Sequence, residues 1–375
     1  DKDGSTPLHR ASASAFHEVK VARFLVKHGA DVTARDKDGS TPLHKASGSG
    51  SVDVTRFLLE HGVDATVRDK DRSTPLHKAS ASRFWSWESM VVARCLIEHG
   101  ADASAQDKDG STPLHKASAS GSVNVAHMLV ERGADATAQD KDGVTPLHVA
   151  SGLSSGRSMD VVRFLVEHGA DATAQDKDGS TPLHRASASG RVEVARFLVE
   201  HGAITTAEDK DGVTPLHQAS ASGRLAVTLF LVGHGADATA RNKSGSTPLH
   251  GASASGRMAL TCFLVGHGAD ATAQDKDGVT PLHMASGSSS GRSMDIVRFL
   301  IERGADATAQ DKDGSMPLHR ASASGSVDVA RFLVAHGADV TAQDKDGSTP
   351  WHVASQLERV DLVQLLVEHG ADMTA

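Results

Sequence analysis

Histidine is the residue that first suggests chemistry in this chain, with 22 among 375 residues. Eleven follow Thr-Pro-Leu or a close variant, from His9 to His352, and nine more precede a glycine, from His28 to His369. A zinc centre would need several such rings within bonds of about 2 Å of one ion. Other fragments also imitate sites. "DKDG" opens like a calcium loop, but the third acidic ligand is missing and serine (Ser12, Ser187) stands where the bidentate glutamate belongs. "GLSSG" (Gly152 to Gly156) and "GSSSG" (Gly287 to Gly291) fit the nucleophile pattern G-x-S-x-G, which needs a strand before it and a helix after it. "NKS" at Asn242 is a glycosylation sequon in form alone, because nothing routes the chain through secretion.

Composition narrows the classes that could hold such sites. Aromatic residues make up 3% of the chain and tyrosine is absent, so a large core built on aromatic area is excluded. A formal charge of −8 with both signs interspersed gives no general attraction to nucleic acid or membrane. No run is long and apolar enough to span a bilayer, and no signal-peptide pattern opens the sequence. Two cysteines, Cys95 and Cys262, make no disulfide framework and point to a reducing, cytoplasmic or nuclear compartment. Asp1 falls inside a motif, which reads as a piece of something longer.

The elements that must position these residues come from a repeat. "DKDGSTPLH" opens the chain, and close copies begin at Asp36, Asp69, Asp107, Asp140, Asp176, Asp209, Asn242, Asp275, Asp311 and Asp344. Six of the ten spacings are 33 residues, and the others are 35, 38, 36 and 36. In the unit from Asp176, "DKDG" is a turn in which Gly179 can take positive φ. Thr181 caps a short helix with Pro182 in its first turn, and Leu183, Ala186 and Ser187 share one side. Gly190 breaks that helix. A second helix follows, with Val192, Val194, Ala195, Leu198 and Val199 as its apolar stripe, His201 in the last turn and Gly202 just beyond. Neither helix can bury its face alone, so units must stack. At roughly 10 Å per layer, neighbouring histidines are too far apart to share a zinc, and a structural role bridging turn and helix start is expected.

"DKDGSTPLHRASASGRVEVARFLVEHGA" resembles the ankyrin repeat, whose signature carries T-P-L-H-x-A at these positions. The resemblance covers the whole chain, with small departures: Arg72 for the turn glycine, "NKSG" at Asn242, Met316 for threonine and Trp351 for leucine. It implies an all-α solenoid of stacked helix-turn-helix units joined by turn fingers, with fingers and first helices lining a concave groove. The expected organisation is a single domain, 1–375, with repeats 1–35, 36–68, 69–106, 107–139, 140–175, 176–208, 209–241, 242–274, 275–310, 311–343 and 344–375.

Four departures from uniformity could carry recognition. The residue after each T-P-L-H is Arg10, Lys45, Lys78 and Lys116 in the first four units. These form either a basic row for an acidic or phosphorylated segment, or a solvated face balanced by nearby aspartates. The second helices of units seven and eight replace the usual Arg and Glu pair, putting Ala226, Leu229, Gly233 and Ala259, Cys262, Gly266 at outward sites. That is a partner or self-association patch, or neutral drift. Units five and nine carry matching inserts at Gly152 and Gly287, best explained by duplication, and unit one is longer around Phe16 and His17. The largest insertion, in unit three, holds Arg83, Phe84, Trp85 and Trp87, which are either contact anchors or rings folded back on the stack.

The expected function is a non-catalytic protein-interaction scaffold. A spacer array and the regulatory arm of a larger protein are the alternatives. No cofactor, metal, nucleic acid or membrane is expected, and the chain should be a monomer unless repeats 7 and 8 self-associate.

Overall fold

The computed structural model describes residues 2–14, 19–82 and 86–372. Among them lie 22 helices in consecutive antiparallel pairs and no strand. The pairs fall into two compact units. One comprises residues 1–182 with 197–203, and the other 183–196 with 204–375.

In the first unit, the pairs begin with Pro7–Ala13 and Val19–Lys27 and end with Pro146–Ser151 and Ser158–Glu167. Each first helix is short because its sequence starts and stops it within two turns. At Pro42–Ser49, Thr41 is the extended N-cap, proline occupies the first turn, and Gly50 ends the helix at φ 74. The second helix, Val52–Glu60, turns Val54, Phe57 and Leu58 inward. First helices also pack on first helices: Leu43, Leu76, Leu114 and Leu147 are fully buried, as are Ala46, Ala79, Ala117 and Ala150. Alanine and serine at these contacts let the helices approach closely, so the core is thin and needs few aromatic rings.

The second unit repeats this order from Pro215–Ala221 and Leu225–Gly233 to Pro350–Gln356 and Val360–Glu368. Its core runs through Leu282, Ile296, Leu300, Leu318, Leu333 and Leu366. The sixth pair, Pro182–Ser189 and Val192–Glu200, spans the division. In that pair Phe197 is buried, whereas Val192 and Val199 are half-buried. The apolar stripe expected from sequence therefore needs Phe197 added to it.

The insert of unit three lengthens its second helix to Ser86–Glu98, 13 residues against nine in its neighbours. The matching inserts of units five and nine form the connections before Ser158–Glu167 and Ser293–Glu302. "GLSSG" and "GSSSG" thus sit between two helices, without the strand a nucleophile elbow requires. Phe16, His17, Arg83, Phe84, Trp85 and the last three residues lie outside the described residues.

Candidate functional site: fingers, first helices and the repeat interface

The histidines explain themselves through their two ring nitrogens. At His44, Nδ1 accepts the backbone N–H of Thr41 at 3.1 Å and lies 3.0 Å from the Thr41 hydroxyl. Nε2–H donates to the carbonyl oxygen of Ser73 in the next repeat at 3.0 Å, since a carbonyl can only accept. The same pair of bonds recurs at His77 with Ser111, His115 with Val144 and His250 with Val279. This geometry fixes one neutral tautomer, because a proton on Nδ1 would face the threonine N–H. Burial, the largest cause, pushes His44 down to about 4 against the opposing pull of its bond to Ser73. Burial lowers His77, His115, His217, His250, His283 and His319 as well. These rings tie cap to cap across repeats, a link the sequence reading confined to one turn.

The second set of histidines is also engaged. His201 donates from Nδ1 to the carbonyl of Phe197 at 2.8 Å, with ring centroids 4.0 Å apart. Above these rings runs a feature that sequence reasoning missed. Arg23 lies over Phe57, Arg163 over Phe197, Arg196 over Phe230 and Arg298 over Phe332, at 5.2 to 5.7 Å from the ring centroid. Each is an inter-repeat cation–π contact. The signal was present as an arginine directly before a phenylalanine in consecutive copies, but that pairing only has meaning between layers. Leu229 and Cys262 occupy the arginine position in repeats seven and eight. Leu229 is 44% exposed, Cys262 is half-buried, and Phe263 and Phe299 are half-buried too. Burial raises the Cys262 thiol. Arg303 meets Phe299 from its own helix end at 4.9 Å.

Fingers are closed by their own aspartates. Asp36 Oδ1 accepts from the N–H groups of Asp38 and Ser40, and Gly39 N–H donates to the Asp36 carbonyl. Finger follows finger through one backbone bond, as in Lys37 to Asp3 and Lys70 to Asp38. Arg35 and Arg68 add clamps to the next finger, donating to the carbonyls of Arg68 and Gln106 at 2.7 Å.

The basic residues after T-P-L-H are placed next to these fingers. Lys45, Lys78 and Lys116 pair with Asp36, Asp69 and Asp107, each at 2.8 Å, and Arg320 pairs with Asp311 at 3.0 Å. Those four aspartates are buried, whereas Asp140, Asp209 and Asp275, beside Val149, Gln218 and Met284, are only half-buried. Arg10 is exposed on the first helix. A groove of about 650 Å³ opens among Ser40, Lys45, Ser49, Lys70 and Lys78, so fingers and first helices line one common cavity. Trp87, in the first turn of Ser86–Glu98, is 61% exposed. Of the named candidates in the insert, it alone falls within the described residues.

Among the described residues, no group of three or more histidine, cysteine or acidic side chains is placed to hold a metal, and no helix is long and apolar enough to cross a membrane. What the geometry defines is a stack of finger-linked helix pairs held in register by backbone and imidazole bonds. The family model for ankyrin repeats, three copies long, matches residues 1–69, 28–86, 63–140, 86–176, 147–242, 216–311 and 288–375, which together span the chain. The protein belongs to the ankyrin repeat family. Only ankyrin repeats are found in it. Comparison with curated proteins gave no match.

Proposed function

We propose that this protein is a non-catalytic interaction scaffold whose residues 1–375 act as one repeat domain. It would hold a protein or extended peptide against its fingers, first helices and inter-helix segments. One observation carries this reading. The residue after T-P-L-H varies from copy to copy and stays at least partly exposed, while the histidine before it and the alanine after it are fixed and, half-buried His352 aside, buried. Lys45, Val149, Gln218 and Met284 are half-buried at that position, beside His44, His148, His217 and His283. Gly251, closed off by the Ala221 backbone, aside, the variation falls where packing leaves space, the pattern of a surface open to tailoring. Trp87 supplies an aromatic anchor of the type that dominates interface energy. The free thiols Cys95 and Cys262 support a reducing, cytoplasmic setting.

A spacer role is the second reading, favoured by the near-identical fingers, whose backbone groups are spent on one another. Proximity labelling with the full chain separates the two. A scaffold yields a reproducible neighbour that is lost in Trp87→Ala or in a combined Lys45→Ala, Lys78→Ala and Lys116→Ala variant, the latter assayed where circular dichroism shows it folded, since it strips buried Asp36, Asp69 and Asp107 of their partners. A labelling profile unaffected by either change supports the spacer.

A further inference from the structure

We infer that the finger of the third repeat, Lys70 to Arg72, anchors an acidic extended segment of a protein partner, an inference that rests on the scaffold reading above. Charge is the first support. Asp69 is held by Lys78 and Asp71 by Lys108, each at 2.8 Å. Lys70 and Arg72 are exposed and enter no ion pair among the described residues. On the second finger, unpaired Lys37 is matched by unpaired Asp38. On the fourth, Lys108 is spent on Asp71 and Asp109 is left over. Two uncompensated cations thus project from one finger between neighbours that are neutral or negative, and the unpaired carboxylate beside them is Asp38, whose backbone carbonyl accepts the Lys70 N–H at 2.9 Å.

Backbone conformation is the second support. Arg72 sits at φ 59, where the equivalent residues of the adjoining fingers are Gly39 at φ 74 and Gly110 at φ 80. An L-residue in this region is strained, and an exposed tip gives the fold nothing in return. Strain kept at a solvent-facing position is accounted for when the side chain is used outside the fold. The groove is the third support. It runs beside this finger, with Lys45, Lys70 and Lys78 on its walls together with Asp69, paired with Lys78, Asp71, paired with Lys108, and Asp38, the one carboxylate there in no ion pair among the described residues. The side chains of Lys45 and Lys78 keep 33% and 35% of their surface exposed despite their aspartates, and both line the cavity. Carboxylates of an extended chain would meet the guanidinium of Arg72 in a two-point contact and Lys70 as a point charge.

Random peptides displayed on phage, selected against the full chain and then synthesised with a fluorescein label, test this. Enriched peptides should be acidic, and anisotropy should show binding that weakens with added salt. Arg72→Gly should raise the thermal midpoint while weakening peptide binding about tenfold, the value of one charge-assisted contact. Lys70→Ala should weaken binding similarly without changing the midpoint. Acidic peptides whose affinity is unchanged in both variants would overturn this assignment and leave the scaffold reading standing. So would enrichment of neutral or basic sequences, or equal binding of a labelled single-stranded oligothymidylate. Failure to enrich any peptide would overturn both.

Discussion

His44 donates from Nε2 to the carbonyl oxygen of Ser73, 29 residues further along the chain, at 3.0 Å. One ring therefore joins the cap of its own helix to the finger of the next repeat, and it can do so only when neutral. The bond is local to each interface, but its repetition makes it a property of the array.

Acid should therefore unfold the protein well before its carboxylates titrate. His44 is neutral in both states above its ordinary 6.5, so its contribution is complete there. As pH falls from 6.5 to about 4, the unfolded chain takes up a proton that the folded ring refuses, and about 3 kcal/mol is lost at this site. His77, His115, His217, His250, His283 and His319 shift in the same direction and add to the loss. The lowered Asp36, Asp107 and Asp339 join the loss only at the acid end of this window, as the unfolded carboxylates approach their ordinary 3.8, so the histidines dominate above it. Urea unfolding followed by far-ultraviolet circular dichroism should show midpoints falling steadily below pH 6.5. A midpoint flat down to 4 would contradict the bond assignment.

The arginine ladder should be measurable as a coupling. A double-mutant cycle on Arg196→Ala and Phe230→Leu is expected to give about 0.5–1 kcal/mol between the two residues. Leu229→Arg should gain a similar amount by placing a cation over half-buried Phe263. If Leu229→Arg lowers stability instead, the repeat-seven surface is shaped for an apolar side chain and not merely missing its arginine.

Gly251 should not accept the lysine that its counterparts carry. A Cβ at this position would come 2.9 Å from Ala221 N and 3.0 Å from Ala221 Cα, both backbone atoms of the preceding first helix. Gly251→Lys should cost about 1–3 kcal/mol through forced separation of the two helices. Gly48→Ala is the control, since its Cβ would meet only Lys78 Cβ at 3.6 Å, an ordinary contact. Thermal midpoints of the two variants decide the matter, and equal values would refute the close approach.

The buried serines should separate into two kinds. Ser80 Oγ donates to the Leu76 carbonyl at 2.8 Å, whereas the fully buried Ser220 Oγ has no partner. Ser220→Ala should be neutral or stabilising by up to about 1 kcal/mol, and Ser80→Ala should cost about 1 kcal/mol. Calorimetric midpoints that move in the same direction for both would show that the hydroxyl at position 220 is bonded in solution.

Much of the architecture was legible because the repeat multiplies weak local signals. A single "DKDGSTPLH" is a turn and a helix start; copies at near-constant spacing leave stacking as the way to bury the second-helix valines and leucines. Thr41, Pro42 and Gly50 act within a few residues of themselves, so sequence alone placed cap, first turn and stop. The basic row was legible as residues but not as a charge distribution. Whether Lys45 presents a free ammonium depends on Asp36, nine positions earlier, and on how the finger folds back. The stripe expected from helical period left out Phe197 because the ring is covered from a neighbouring layer, by Arg163, and not by its own partner helix.

The sequence by itself determined the family, the helix pairs, their caps and the positions where copies differ, because each follows from residues close together or from the period. Only the tertiary structure decided which polar groups are already spent. The His44 ring on Ser73, Lys78 on Asp69, Arg196 on Phe230 and the unpaired cations at Lys70 and Arg72 depend on distances between repeats. A charge or ring becomes available for recognition only when no neighbouring layer satisfies it, and that is set by packing across some thirty residues of chain, beyond the reach of local pattern.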